Sequence, residues 1–454
     1  MSESLTRTER LDRLPYGAKH TTLLFGSGVG WALDAMDVGL ISFIMLAVTK
    51  EWALSGGQQS LLASAGFVGM AVGASVCGVL ADRIGRRQVF ALTLLVYGLA
   101  TGLSALSGGL AMLVALRFVV GMGLGGELPV ASTLVSEYSP KRIRGRVVVA
   151  LESFWAVGWL AAALIGYVVV PLANGWRWAL ALGKVPALWS IVLRLRLPES
   201  VRFLEAKGRH GEAELVVREW ERSAGVEPPS GTAVVRDEPA AAAKVSLREL
   251  FGARLRRRTV ALWLVWFGVN FSYYGAFIWI PTLLHRSGLT MVKSFEFTLL
   301  MTLAQLPGYL VAAVLIEVWG RRATLVAFLG GSAISAVGFG FAGQVAEAVA
   351  PGSTGWQYSV TMAFGCALSF FNLGAWGALY AITPEVYPTT GRASGAGAAT
   401  AFGRVAAMLA PIVVPLLAPM GLGVVFGLLA AMFALAMAAG LFLPEQRGLA
   451  LEER

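Results

Sequence analysis

Histidine and cysteine are scarce in this sequence, with 3 and 2 residues among 454. A His/Cys cluster for a structural metal is therefore excluded, and Cys77 and Cys366 lie within apolar runs, as reduced core thiols do. Charged residues are also few, at 14%, whereas 56% of the residues are hydrophobic. A soluble chain of this composition would expose apolar surface that it could not bury. The composition argues against a soluble enzyme or a nucleic-acid-binding module and indicates an integral membrane protein.

Twelve apolar runs lie between residues 21 and 443, each long enough to cross a bilayer as a helix. The first run contains Asp34 and Asp37 and is not followed by a cleavage site, so it predicts a retained helix rather than a signal peptide. The pattern predicts an all-α membrane protein built as two pseudo-symmetric six-helix bundles. Its parts are an N-terminal tail (1–20), a first bundle (21–196), a linker with short helices (197–257), a second bundle (258–443) and a C-terminal tail (444–454).

Lysine and arginine are distributed very unevenly between the connecting segments. If the N-terminus is cytoplasmic, thirty of the 37 basic residues lie on that side and four lie on the other. Basic residues are retained on the cytoplasmic side of membrane proteins. We therefore expect both termini to be cytoplasmic. The net charge of +10 then follows from the topology, and a nucleic-acid partner is not needed to explain it.

A short motif occurs once in each half of the chain. GVLADRIGRR (78–87) follows the second apolar run and AVLIEVWGRR (313–322) follows the eighth. An acidic residue, a glycine and two arginines thus recur at matching positions. This is the pattern of an internal repeat of six helices.

These residues resemble the major facilitator superfamily of transporters, whose signature between helices 2 and 3 is matched by GVLADRIGRR. Five further segments resemble the sugar-porter branch of this superfamily. They are RFVVGMGLGG (117–126), SEYSPKRIRG (136–145), LPESVRFL (197–204), TPEVYPTTGRASG (383–395) and LPEQRG (443–448). Within that branch, GWALDAMDVGLISF (30–43), LESFWAVGW (151–159) and NFSYYGAFIWIPTLL (270–284) are similar to bacterial niacin transporters, which are relatives of organic ion transporters. The resemblance implies a multi-pass transporter of the bacterial inner membrane, monomeric and without a cofactor. It would carry a small molecule by alternating access, driven by a proton gradient.

The resemblance also implies that charged cytoplasmic motifs latch the two halves together in the outward-open state. Gly85 would permit a tight turn, and the neighbouring arginines would lie at the membrane surface. The alternative is that these charges only set the topology. The residues implied in the gating motif are Gly78, Asp82, Arg83, Gly85, Arg86, Arg87, Glu137, Arg144, Glu317, Arg321, Glu385 and Arg392.

Ionisable residues at membrane depth must face a partner or an aqueous cavity. Asp34 and Asp37 lie three residues apart on one helix face, where each carboxylate raises the proton affinity of the other. By resemblance, Asp37 and Arg117 match the acid–arginine pair that couples sugar porters to protons. The alternative is a static ion pair. The remaining ionisable residues at this depth are Glu127, a structural group or a proton way-station, together with Glu152, Lys184 and Arg404.

The expected substrate site differs from that of a sugar porter. Glu152 stands where the family has a sugar-binding glutamine, and Leu264 and Val265 replace a glutamine pair. Arg404 suits a carboxylate, which an arginine can bind through two hydrogen bonds, although pairing with a protein acid is the alternative. Aromatic residues in these helices favour a flat ring. The expected substrate-binding residues are Arg404, Glu152, Trp155, Trp159, Asn270, Tyr273, Tyr274 and Trp376.

The sequence therefore predicts proton-coupled uptake of a small aromatic monocarboxylate, with nicotinate as the best single candidate. An organic-cation carrier would use the buried acids and cation–π contacts, and Arg404 argues against it. A sugar–proton symporter would have the branch motifs but would need the missing glutamine pair. A non-transporting receptor or channel is the alternative from another class. The sequence contains no arrangement of nucleophile and base that would indicate an enzyme.

Overall fold

The computed structural model describes residues 5–140, 142–227, 247–252, 255–387 and 392–445. Every regular element in these ranges is a helix, apart from two short 3-10 turns at Thr383–Glu385 and Ala418–Met420. The α-helices are, in chain order, α1 (Arg7–Asp12), α2 (Ala18–Trp52), α3 (Gly56–Ile84), α4 (Arg86–Ser104), α5 (Leu110–Tyr138), α6 (Arg144–Val168), α7 (Gly175–Leu182), α8 (Val185–Arg196), α9 (Val201–Ala206), α10 (His210–Ser223), α11 (Leu247–Leu250), α12 (Arg256–Phe277), α13 (Ile280–Arg286), α14 (Met291–Leu303), α15 (Gln305–Val318), α16 (Arg321–Gly340), α17 (Ala342–Val349), α18 (Thr354–Ile382), α19 (Arg392–Leu417) and α20 (Leu422–Gly440).

Nine stretches of the described residues are helical, long and apolar enough to cross a membrane. Two of the apolar runs read from the sequence are divided. The run at 176–196 forms α7 and α8, separated by Gly183 and Lys184, and one span from Met291 to Val318 is interrupted at Ala304. Pro307 lies in the first turn of α15, where its missing N–H is not needed. The count of twelve spans stays a prediction.

The chain divides into two compact units. The first unit comprises Met1–Asp37, Val68–Gly158 and Leu180–Ala241, and the second comprises Val38–Phe67, Trp159–Ala179 and Ala242–Arg454. The boundaries between these ranges fall within α2, α3, α6 and α7.

In the first unit, the N-terminal helix α1 packs on α10 of the linker, and we call this arrangement the N-terminal clasp. Its centre is a fully buried ion pair in which Arg10 donates to both oxygens of Glu221, at 2.9 and 2.6 Å. Leu11 and Leu14 are buried beside it. A capping box formed by Thr6 and Glu9 begins α1. The clasp therefore combines apolar burial with charges that have lost their contact with water.

A second carboxylate of the clasp, Glu214, lies among three arginines. Arg7, Arg10 and Arg218 donate to it at distances of 2.7 to 3.0 Å. Burial by itself raises the pKa of Glu214, but the hydrogen bonds from Arg218 and Arg10 outweigh that effect and the pKa lies below its usual value. Glu214 therefore stays ionised in the clasp down to a lower pH than in an unfolded chain.

In the second unit, small residues let helices approach closely. A Cβ atom on Gly308 of α15 would collide with the backbone oxygen of Phe370, and one on Gly374 of α18 would collide with the ring of Phe328. Such contacts between small residues and backbones hold membrane helices together where water is absent. These two close contacts fix α18 against α15 and α16.

Candidate functional site

In the first unit, Asp37 of α2 lies against α4 and α5. Arg117 donates to its Oδ2 at 2.8 Å and Thr101 donates to its Oδ1 at 2.6 Å. The side chains of Arg117 and Asp37 are 5% and 1% exposed. The structure thus brings together the two residues that the resemblance pairs, and it adds Thr101. Each oxygen of this carboxylate thus accepts one hydrogen bond, from two different helices.

Two further acids of the first unit, Asp34 and Glu152, are also buried. Asp34 lies one turn before Asp37 and is 2% exposed, and Glu152 on α6 is 4% exposed. The indole of Trp31 lies next to Glu152, and its ring lies 5.1 Å from that of Trp155. Glu152 and Trp155 therefore belong to a group that includes Trp31, which the sequence analysis did not identify.

In the second unit, an aromatic cluster forms around Tyr273 of α12. The ring of Tyr273 lies 5.8 Å from both Trp159 and Trp376, and 5.1 Å from Tyr274. The indole nitrogens of Trp159 and Trp376 are buried and have no hydrogen-bond partner among the described residues. Four of the predicted substrate-binding residues thus meet in one cluster, with two N–H donors available to a ligand.

Arg404 of α19 is half-buried in the second unit. No acidic side chain in the described part of the chain forms an ion pair with it, and its charge acts on the hydroxyl of Tyr274. Its neighbour Gly403 packs against Asn270, since a Cβ there would meet Nδ2 of that residue at 2.7 Å. Asn270 uses this amide nitrogen to donate to the backbone oxygen of Trp266 at 2.8 Å. Among the described residues, Arg404 therefore has no acidic partner, and its charge acts on a phenol.

Two buried amides of the second unit were missed by the sequence analysis. Gln305, at the interruption between α14 and α15, and Asn372 on α18 are completely buried, and both polar atoms of each amide lack a partner among the described residues. Ser369 lies one turn before Asn372, and Trp376 one turn after it. Unsatisfied buried amides are costly, and their free polar atoms are able to form hydrogen bonds with a polar ligand. The available signal was a lone amide inside each apolar run.

The gating motif of each unit starts a helix in the same way. In the first unit, the carboxylate of Glu199 accepts from the backbone N–H groups of Arg86 and Arg87, at 2.9 and 3.2 Å. Gly85, which precedes them, has a φ of +106° and lies so close to Glu199 that a Cβ would collide with it. A carboxylate at a helix N-terminus satisfies free N–H groups and interacts favourably with the helix dipole.

The second unit repeats this arrangement, with Gly320 in the place of Gly85. Gly320 has a φ of +100°, and Glu445 accepts from the N–H groups of Arg321 and Arg322 at 3.2 and 3.0 Å. The acids Glu199 and Glu445 come from the LPE sequences that follow the last helix of each half. The internal repeat therefore extends from the sequence to individual hydrogen bonds.

The other predicted gating residues have more varied surroundings. Glu137 accepts from Ser200 and lies 3.7 Å from Arg86, and Arg321 pairs with Glu385 at 3.1 Å. Arg144 pairs with Asp12, at the end of α1, and so connects the first bundle to the N-terminal clasp. The remaining motif residues are Arg83 and Glu317, which are exposed, and Gly78, Asp82 and Arg392, whose surroundings, like those of Glu127, lie outside what the structure describes. Lys184 is exposed at the break between α7 and α8.

The described residues include no group of His, Cys, Asp and Glu side chains that could hold a metal ion. What they do contain is a buried acid–arginine pair in one unit, an aromatic and amide cluster in the other, and apolar helices of membrane length. The arrangement is that of a membrane transporter rather than an enzyme.

Comparison with known proteins agrees with this class. Residues 32–454 match the family described as sugar (and other) transporters, so the chain belongs to this family of the major facilitator superfamily. The fold is similar to that of the xylose transporter XylE from E. coli in a partially occluded inward open conformation, with a TM-score of 0.72 at 17% sequence identity, covering 93% of this chain and 98% of XylE. The predicted all-helical transporter fold and the multi-pass location in the inner membrane are confirmed.

Two bacterial relatives are more similar in sequence. The chain is 51% identical over 405 residues to the niacin transporter NiaP of Acinetobacter baylyi, covering 89% of each protein. It is 46% identical over 398 residues to the putative niacin/nicotinamide transporter NiaP of Bacillus subtilis, covering 87% of this chain and 88% of that protein. The resemblance to bacterial niacin transporters is therefore confirmed.

Proposed function

We propose that this transporter imports a small aromatic monocarboxylate, with nicotinate as the best candidate, together with protons. The observation that carries the proposal is Arg404, a half-buried cation with no ion-pair partner among the described residues, beside the buried aromatic cluster around Tyr273. A cation in such a place is costly unless it meets an anion. The niacin transporters among the relatives support the same substrate class.

In this proposal Arg404 binds the carboxylate, and the second unit supplies the surface for the ring. A ring that stacks on Trp376 or Tyr273 gains about 0.5–1.5 kcal/mol for each aromatic contact beyond its buried area. Asn372 and Gln305 have free amide groups that can hydrogen-bond the ring nitrogen or the carboxylate. Tyr274, Asn270 and Trp159 complete the site in the second unit.

Proton coupling is assigned to Asp37 and Arg117. While Arg117 pairs with it, Asp37 stays ionised, and a movement that separates the two would let a proton bind. Buried ion pairs contribute little net stability, which favours a role in transport over a structural one. Asp34 and Glu127 are proposed to relay the proton. We further propose twelve spans, with both termini cytoplasmic and a monomeric carrier that needs no cofactor.

The substrate proposal is tested by the thermal stability of the purified full-length protein in the presence of chosen ligands. A ligand that binds the folded state stabilises it by mass action, by about 2.7 kcal/mol at a hundred times its Kd. Nicotinate should raise Tm. Nicotinamide tests the requirement for the carboxylate, and benzoate tests the requirement for the ring nitrogen. Cyclohexanecarboxylate, compared with benzoate, tests the requirement for a flat ring. Xylose and a quaternary amine represent the rival substrate classes. Stabilisation by either of these alone would overturn the proposal.

Variants of Arg404 test which residue holds the anion. Arg404→Lys keeps the charge but loses the planar fork, so the affinity for nicotinate should fall about tenfold or more, as expected for a charge-assisted hydrogen bond. Arg404→Ala should weaken binding further. The matched control is Arg209→Ala, which removes an exposed arginine paired with Glu212 on the linker. Unchanged nicotinate affinity in both Arg404 variants would remove Arg404 from the site.

The coupling proposal is tested separately in proteoliposomes. Asp37→Asn should abolish the accumulation of nicotinate against its gradient while leaving exchange of labelled for unlabelled nicotinate partly intact. A variant that still concentrates substrate would show that Asp37 is not the coupling acid.

A further inference from the structure

Asp37 has a second hydrogen-bond donor that the coupling pair does not include. Thr101 lies on α4, is fully buried, and donates through its hydroxyl to Oδ1 of Asp37 at 2.6 Å. Arg117 occupies the other oxygen, Oδ2, at 2.8 Å. Hydrogen bonds to a charged acceptor are stronger than those between neutral groups. The carboxylate is therefore held from two sides by two different helices.

We propose that Thr101 is a positioning residue for proton coupling, whose hydroxyl sets the pH at which Asp37 accepts its proton. This inference rests on the proposed role of Asp37 as the coupling acid. A donor directed at a carboxylate favours the ionised form. When Arg117 separates from Asp37, Thr101 remains as the donor that limits how readily the proton binds and how easily it leaves again.

The break between α7 and α8 explains why the hydroxyl of Thr101 points towards Asp37. A Cβ atom on Gly183, in that break, would collide with the γ-methyl group of Thr101. The methyl group therefore occupies the space that a side chain at Gly183 would fill. Because the methyl and hydroxyl groups branch from the same Cβ atom, fixing one of them fixes the direction of the other. Gly183 thus orients the hydroxyl through the methyl group.

Other charged groups lie on the helix of Asp37 and on the segments packed around it, and the test has to leave them in place. They are Asp34 on the same helix, Arg117 on α5, Glu152 on α6 and the exposed Lys184 next to Gly183. Thr101 carries no charge and does not titrate in this range. Replacing it removes one hydrogen bond and leaves each of these groups unchanged.

The test is the dependence of concentrative nicotinate uptake on external pH, in proteoliposomes that contain the full-length protein. Thr101→Val keeps the size of the side chain and removes the hydroxyl, so the proton binds more readily and the alkaline midpoint of uptake should move up by about one pH unit. Thr101→Ser keeps the hydroxyl but loses the methyl group that orients it, so its midpoint should lie between those of the wild type and Thr101→Val. Thr93→Val is the matched control, because Thr93 is a buried residue of the same helix whose hydroxyl donates to the backbone oxygen of Phe90.

The outcomes separate this inference from the proposal on which it rests. If Asp37→Asn abolishes accumulation but Thr101→Val has the same midpoint as Thr93→Val, Thr101 has no role in coupling. If Asp37→Asn still accumulates nicotinate, the coupling assignment fails, whatever Thr101 does. Exchange of labelled nicotinate at equal pH on both sides shows that each variant is folded. Should Thr101→Val fold poorly, Thr101→Ala removes the same hydroxyl and should shift the midpoint in the same direction.

Discussion

The N-terminal clasp offers the sharpest test of the energetics in this structure. Arg10→Ala leaves the carboxylate of Glu221 without the two hydrogen bonds that it accepts from Arg10, while the side chain of Glu221 remains completely buried. Removing one partner of a buried pair typically costs about 3–5 kcal/mol. Since about 1.4 kcal/mol corresponds to a factor of ten, the clasp should open about a hundredfold more often, or more.

Hydrogen–deuterium exchange at the amides of α1 measures this opening directly, because the opening is local and the rest of the protein stays folded. Arg10→Ala should speed the exchange of α1 by about two orders of magnitude. Lys19→Ala is the control, since Lys19 pairs with Glu219 at the surface, where their side chains are 31% and 70% exposed. An exposed pair contributes about 0–1 kcal/mol, so this variant should change the exchange of α1 only slightly.

A double variant shows whether the cost comes from the isolated charge. Arg10→Met combined with Glu221→Leu removes both charges and keeps apolar volume in the clasp, and such replacements are often neutral. Arg13 also contacts Glu221, but its side chain is 41% exposed, so water solvates its charge when Glu221 is replaced. The double variant should therefore recover most of the protection. If Arg10→Ala exchanges no faster than Lys19→Ala, the apolar contacts hold the clasp and the reasoning is wrong.

Two further predictions concern the acids that begin helices and the acid within the clasp. Glu199→Ala and Glu445→Ala each remove the acceptor of two N–H groups at the start of a helix, so each should lower the free energy of unfolding by about 1–2 kcal/mol. The Tm of the purified protein measures both, and effects that differ severalfold would show that the two units do not rely on their acids equally. Because the pKa of Glu214 is lowered in the folded state, its stabilising contribution is present above its unfolded pKa of about 4.3 and is lost as the pH falls through the folded value. The exchange of α1, corrected for intrinsic rates, should rise below about pH 4, whereas exchange that stays constant from about pH 5 to 3 would contradict the assignment.

Several properties of this protein were determined by the sequence alone. The composition required a membrane protein, because so few polar residues cannot cover a soluble surface. The glycine and paired arginines at Gly85 and Gly320 identified the repeat, since both positions need a backbone with positive φ that favours glycine. The pairing of Asp37 with Arg117, 80 positions apart, came from resemblance to the family, and periodicity could not have supplied it.

Only the tertiary structure decided which helices face one another. Helical periodicity assigns residues to a face of their own helix, but it does not identify the residue on the opposite helix. For this reason Thr101, Gln305 and Asn372 looked like isolated polar residues in apolar runs, and Trp155 and Trp159 looked like members of one aromatic group. In the structure, Trp155 packs with Trp31 and Trp159 packs with Tyr273.

The N-terminal clasp illustrates the same limit outside the membrane. Nothing in the sequence around the glutamates of α10 indicates that they are paired. Their arginine partners lie about 200 positions earlier in the chain, and Arg10 and Glu221 are separated by 211 positions. Charge pairing at such a distance leaves no periodic trace in the sequence. Whether a charged residue is solvated or buried in a pair depends on which surface folds against it, and the tertiary structure alone determines that surface.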